Sequence, residues 1–155
     1  MGRVDYYDDP TAPAANSLVP AASAIVATSD GRFVLHRRTD NDMWALPGGG
    51  MDLGESLGEN VVREVREETG LDVQPEYIVG VYTDPRHVFA YDDGEVRQEY
   101  SVCVASRVVG GQLRTSDEST AIGVFSPDEI EQLPMHPRIR ARIADYLTGE
   151  RGALR

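Results

Sequence analysis

The chain has one cysteine, a shortage of basic residues, and no long apolar run. With Cys103 alone, no disulfide can form within the chain. Its place in the apolar stretch from Tyr100 to Val109 gives a buried thiol rather than a nucleophile. The absence of disulfides fits a reducing compartment, so a cytoplasmic protein is expected. No stretch reaches the roughly 18 apolar residues that span a bilayer, and no basic-then-apolar leader opens the sequence. Fifteen basic residues stand against 26 acidic ones, for a formal net charge of −11. Such a surface repels phosphate backbones, which argues against polymeric nucleic acid as a partner and against polybasic attachment to a membrane. A small phosphorylated ligand stays allowed, because bound cations reverse the sign locally.

The 155 residues are 41% hydrophobic and 26% charged, enough for one domain with a core. Residues 1–17 are polar and read as a flexible leader, residues 18–148 as the domain, and residues 149–155 as a tail. Val19 to Thr28 reads as a buried strand, and Arg32 to Arg38 as its return across the turn Ser29-Asp30-Gly31. Alternation puts Phe33, Leu35 and Arg37 on one face, and Val34, His36 and Arg38 on the other. Trp44 to Leu46 is a short strand, with Trp44 as core or pocket wall. Further strands are expected at Asp72–Thr83, Val96–Val109, 112–114 and 120–125, with an irregular stretch at Asp84–Glu95. Ser126-Pro127 opens a helix to about Leu133. Pro137 to Leu147 forms another, with Ile139, Ile143 and Leu147 on one stripe. Strands mixed with three helices predict an α/β fold, a sheet covered on both faces.

The stretch from Gly49 to Leu71 carries the chemistry. Ser56 followed by Glu59 is a capping box that starts a helix near Leu57, and Gly70 suits the left-handed residue that ends it. At about 100° per residue, Leu57, Val61, Val62, Val65 and Thr69 share the buried face. Glu64 and Glu68 stand on its margin, Glu67 to their side, and Arg66 nearly opposite. Three glutamates within two turns raise one another's pKa unless a cation sits among them. Carboxylates with a loop carbonyl suit a hard divalent cation. Taken alone, such a glutamate-rich helix is more often a solvated acidic surface, here with an Arg63–Glu67 pair, than a metal site. His36 and His136 read as structural or exposed, since hard cations prefer oxygen.

The whole string decides between them. Gly49, five residues, Glu55, seven residues, then Arg63-Glu64-Val65-Arg66-Glu67-Glu68-Thr69-Gly70-Leu71 resembles the Nudix box at every fixed position. The resemblance implies an α/β/α sandwich with a mixed sheet, and an Mg²⁺-dependent hydrolase, with Mn²⁺ as substitute. The expected substrate is a nucleoside diphosphate joined to another group. It implies Glu64, Glu67, Glu68 and the Gly48 carbonyl as metal ligands, with Glu64 or the downstream Glu118 as general base. Gly49, Glu55, Arg63 and Gly70 would support the box. Arg38, Arg86 and Tyr91 are candidates for substrate contact, with His87 and Phe89 beside them as stacking surfaces. The alternative is a family member that binds a nucleotide as a sensor without turnover. Either reading allows a monomer or a homodimer. No substrate tag follows the box: the serine-glutamine-proline-tryptophan run of NADH enzymes is missing, and Pro85 stands only near the place of the proline in ADP-ribose enzymes.

Overall fold

The computed structural model describes residues 2–155; Met1, the first residue of the expected leader, lies outside them. In chain order the elements are β1 (Arg3–Tyr7), β2 (Ser17–Leu18), β3 (Ala21–Ala27), β4 (Phe33–Arg38), β5 (Trp44–Ala45), β6 (Gly48–Gly50) and α1 (Leu57–Thr69). They continue with β7 (Leu71–Tyr82), β8 (His87–Tyr91), β9 (Val96–Gln98), β10 (Ser101–Gly111), β11 (Ser119–Phe125), α2 (Pro127–Ile130), α3 (Pro137–Leu147) and β12 (Ala153–Leu154). The large sheet is mixed, in the order β11-β4-β3-β10-β7-β12, with β3 and β10 parallel and β10 and β7 antiparallel.

Alternation along β3 and β4 divides the core in two, because successive side chains face opposite sides of the sheet. Val26 and Val34 meet Val61 and Val65 of α1 on one face. Ile25, Phe33 and Leu35 meet Ile130 of α2 and Ile143 of α3 on the other. The sheet is therefore sandwiched between helices, an α/β fold. Cys103 is fully buried, and burial pushes its thiol up to about 11. Among the described residues, no helix is long and apolar enough to cross a membrane.

Strands β3 and β4 pair only at Ala27 and Phe33, then splay apart. The gap is filled from both sides: β6 pairs with β3 (Ala22↔Gly49, Ser23↔Gly48) and β5 with β4 (His36↔Ala45, Arg37↔Trp44). Gly48 must be glycine here, because a Cβ would run into the Ala22 carbonyl of the neighbouring strand.

Several local expectations are corrected. Arg3–Tyr7, expected in a flexible leader, is a strand in a second, four-stranded sheet in the order β1-β8-β9-β2. Its partner β8 falls in the stretch 84–95 expected to be irregular; Asp93-Gly94 is the turn between β8 and β9. The strand expected over Val96–Val109 is two, broken at Glu99-Tyr100. There Glu99 turns inward, fully buried, to bond Arg138 and Arg142 of α3 at 2.8 and 2.9 Å. Charge pairing, not apolar burial, sets that break, and the expected α3 stripe extends only to Ile143, since Leu147 is exposed. No strand forms at 112–114, and the helix begun at Ser126 stops at Ile130 rather than Leu133. The expected C-terminal tail instead adds Ala153–Leu154 to the edge of β7.

Candidate functional site

Helix α1 presents its carboxylates to the gap between β3 and β4. Ser56 caps its start by accepting from the Glu59 N–H at 3.2 Å, and Gly70, at φ 77°, closes its end with its N–H on the Arg66 carbonyl. Glu68 lies on the buried face, 3% exposed, deeper than the margin position that phasing alone gives it. The Gly48 N–H donates to its Oε2 at 3.0 Å. His36 Nε2 stands 3.4 Å from the same oxygen, while His36 Nδ1 is 2.7 Å from the Ser119 hydroxyl. Burial pushes Glu68 up to about 9, against the pull of the Gly48 N–H; the charges of Glu64 and Glu118 add to the rise. Burial also raises Glu64, offset by Arg63. Repulsion between the glutamates is thus a lesser cause than desolvation. Burial holds His36 down at about 4, so the ring between Ser119 and Glu68 is neutral at pH 7.

A cation does sit among the acids, on their outer side. Arg63 Nη1 lies 3.0 Å from Glu64 Oε1 and 3.2 Å from Glu67 Oε2. Its Nη2 donates to Glu55 at 2.7 Å and to the Gly50 carbonyl at 3.0 Å. Glu55 accepts from the Asp52 N–H at 2.8 Å, so Glu55 and Arg63 clamp the glycine loop to the helix. Asn60, buried in α1, donates to the same Gly50 carbonyl at 3.1 Å. Gly49 packs under Glu64: a Cβ there would stand 2.5 Å from Glu64 Oε1. Glu67 is the exposed member of the three.

The other predicted residues fall into two groups. Arg38 ends β4 and chelates Asp40 at 2.9 and 2.6 Å, with the charges of Asp5 and Glu68 both acting on it. Glu118 occupies the exposed turn before β11, tied to Thr39 through its carbonyl, with its charge felt at Glu68. These two form the rim of the carboxylate cluster. Arg86 pairs with Asp84 at 2.9 Å near the Tyr7 ring, and Tyr91 lies under the Arg97 guanidinium at 4.6 Å. Arg86 stands in the turn before β8 and Tyr91 at the end of β8; among the described residues no hydrogen bond or ion pair links them to Glu64 or Glu68. Sequence reasoning passed over His36 and Ser119 as parts of this site. Alternation had put His36 on the Arg38 face of β4, which was the available signal.

A second cluster, Asp5, His87 and His136, brings three potential ligand atoms within 4.8 Å of one another. Its geometry does not suit an ion. The two imidazoles stack at 4.4 Å with planes 10° apart. Nitrogen lone pairs lie in the ring planes, and two nearly parallel planes do not meet at one metal. His136 Nδ1 also accepts the Arg138 N–H, capping α3. His87 instead stands between Glu99, at 3.3 Å, and Asp5. Burial opposes charge on this ring, yet the two carboxylates raise it above the usual imidazole value. A surface hollow of about 620 Å³ along α1 is lined by Glu55 and Arg63 of the clamp together with Glu59, Val62, Arg66 and Gln74, but not by Glu64 or Glu68.

Comparison with known proteins agrees with this architecture. The NUDIX domain family matches residues 17–147. A MutT-like protein of Streptomyces ambofaciens is 34% identical over 139 residues, covering 90% of this chain and 82% of that protein. An ADP-ribose pyrophosphatase of Methanocaldococcus jannaschii is 30% identical over 131 residues, covering 82% of this chain and 72% of that one. Among solved structures, a NUDIX hydrolase from Nitrosomonas europaea superimposes with a TM-score of 0.71 at 23% identity, covering 88% of this chain and 93% of its own. With its glycine strand, buried helix carboxylates and family match over most of its length, the chain belongs to the Nudix family.

Proposed function

We propose that this enzyme is an Mg²⁺-dependent hydrolase that cleaves the diphosphate linkage of a nucleoside diphosphate derivative: a nucleotide, a nucleotide sugar or an ADP-ribose-like molecule. The observation that supports it most is the Glu64–Glu68 pair held against the Gly48 amide in the gap between β3 and β4. Nudix hydrolases generally use a divalent metal, and the donor set here fits one. Glu68 is a buried carboxylate that needs a neighbouring cation to ionise near pH 7, and hard oxygen donors suit Mg²⁺ or Mn²⁺. Glu64, Glu67, Glu68 and the Gly48 carbonyl would hold it. When bound, the metal neutralises the diphosphate and lowers the pKa of a water.

The chain's own residues supply the positioning. The Gly48 N–H and neutral His36 fix the Glu68 carboxylate, and Arg63 orients Glu64 while clamping the loop that Glu55 braces. Glu64 serves as ligand or as the base that takes the proton of the attacking water; Glu118, on the rim, is the second candidate base. Arg38, aimed by Asp40, contacts a phosphate or sugar, and Arg86 and Tyr91 serve the more distant part of the substrate. Positioning and charge stabilisation account for most phosphoryl-transfer catalysis, so no covalent nucleophile is required. The relationship to an ADP-ribose pyrophosphatase puts ADP-ribose first in the test. Purified protein with Mg²⁺ is assayed against ADP-ribose, NADH, dinucleoside polyphosphates, nucleotide sugars and dNTPs, including oxidised ones. Turnover of at least one that vanishes in EDTA is expected. Metal binding with no turnover of any would replace the hydrolase with a nucleotide sensor.

A further inference from the structure

Two departures from ordinary strand behaviour meet at Glu68. On β4, alternation puts His36 on the same face as Val34, the face that packs on α1. Across the ladder to β11, Val124 opposes Val34 and Ile122 opposes His36, so the neighbours on this face are apolar. His36 is the polar exception. It is 1% exposed, and it reaches beyond its own strand to Glu68, with Nε2 3.4 Å from Oε2.

Ser119 is the second departure. Alternation from Ile122 would put Thr120 on this face and Ser119 on the other. The pairing slips between Ser119 and Ala121, so that Ser119 opposes Arg38, a residue on the His36 side of β4. A β-bulge of this kind re-aims a side chain. It leaves Thr120 exposed and buries Ser119. The Ser119 hydroxyl lies 2.7 Å from His36 Nδ1 and has no other hydrogen-bond partner among the described residues.

We propose that Ser119 is a positioning residue for Glu68: its hydroxyl donates to His36 Nδ1, fixes the ring with its proton on Nε2, and so holds the Glu68 carboxylate in place as a metal ligand. A neutral imidazole has one N–H and one bare nitrogen. A carboxylate that holds a cation only accepts hydrogen bonds, whereas a hydroxyl donates as well. The arrangement that suits all three groups therefore runs from the Ser119 O–H to Nδ1, and from Nε2–H toward Glu68. Groups behind a metal's ligands set the orientation of those ligands, and through it the affinity for metal. An apolar residue at position 119 would leave Nδ1 buried without a partner. This assignment rests on the metal-dependent hydrolase reading above and adds to it a residue far from the glycine loop and α1.

Mg²⁺ binding to the full chain is measured by calorimetry for wild type and three variants, with folding checked by circular dichroism. Ser119→Ala is expected to weaken it about 10- to 100-fold. Ser119→Thr keeps the hydroxyl and should restore it, whereas Ser119→Val, the same shape without the hydroxyl, should bind as weakly as Ser119→Ala. Nitrogen NMR of the histidine rings in Mg²⁺, with His36 identified by the loss of its signals in His36→Gln, should find the His36 proton on Nε2. Wild-type affinity in Ser119→Ala, equal affinity in Ser119→Thr and Ser119→Val, or a His36 proton on Nδ1 would overturn the proposal. No Mg²⁺ binding by wild type would overturn it together with the metal site. The hydrolase reading fails separately: the stated loss of affinity without turnover of any nucleotide keeps the positioning role and removes only the hydrolase. Turnover by a protein whose Mg²⁺ affinity ignores Ser119 removes this assignment alone.

Discussion

Replacing Glu68 by glutamine should stabilise the metal-free protein while abolishing its activity. Glu68 is 3% exposed, and burial raises it from 4.5 to about 9. Between those two values the folded protein holds a proton that the unfolded chain has released, so stability falls as pH rises through this window. Below pH 4.5 both states are protonated and nothing is lost. At pH 7 the accumulated loss is up to about 3 kcal/mol, at about 1.4 kcal/mol per pH unit. Glu68→Gln has no proton to lose, keeps the shape of the side chain, and retains an oxygen to accept the Gly48 N–H. Urea denaturation in EDTA should therefore find the variant more stable than wild type at pH 7 by up to about 3 kcal/mol, and the two converging near pH 4.5. Mg²⁺ reverses the order, because it binds only the folded state and favours the ionised carboxylate. The wild-type melting temperature should rise on adding Mg²⁺, and a Glu67→Gln/Glu68→Gln double variant should lose most of that response. A stability difference that stays constant from pH 5 to pH 8 would refute the claim that burial, with its attendant protonation, shapes this site. An equal Mg²⁺ shift in both proteins would move the cation elsewhere.

Helix α1 contains its own control: Glu64→Gln should lower kcat by orders of magnitude, whereas Arg66→Ala, which loses only the exposed Asp72 pair, should change stability by roughly 0.5 kcal/mol or less and kcat a few-fold. Steady-state assays in saturating Mg²⁺ in which both lose equally would mean that the assigned metal face of α1 is wrong. Glu99→Gln leaves Arg138 and Arg142 buried without a counter-charge and should cost about 3–5 kcal/mol in urea denaturation; a loss below about 1 kcal/mol would mean that water reaches this network. Gly49→Ala pushes a methyl against the Glu64 carboxylate and should lower kcat at least about tenfold in the same assay; wild-type turnover would show that Glu64 tolerates displacement.

What the sequence determined by itself is what short-range chemistry encodes. Ser56, Glu59 and Gly70 delimit α1 to the residue, because caps act within four positions of the helix end. Pro137 likewise opens α3, and the alternation of Phe33 to Arg38 assigns both faces of β4 correctly. The Nudix box gives the family for the same reason: its glycines, Arg63 and glutamates act on one another within some twenty residues.

Only the tertiary structure decided which acids are buried and which polar segments are strands. Arg3–Tyr7 reads as leader because its residues are polar and aromatic; it becomes a strand by pairing with His87–Tyr91, some 80 positions on, and such pairing leaves no local trace. Arg138 and Arg142 carry no local signal of burial on α3, but Glu99, about 40 residues earlier, draws them inside. His36 acquires its place only when β4 brings it between Ser119 and Glu68. In each case the sequence supplies a charge, and the fold alone sets its distance from a partner and from water. Coulomb interaction and desolvation depend on those two distances, not on position along the chain.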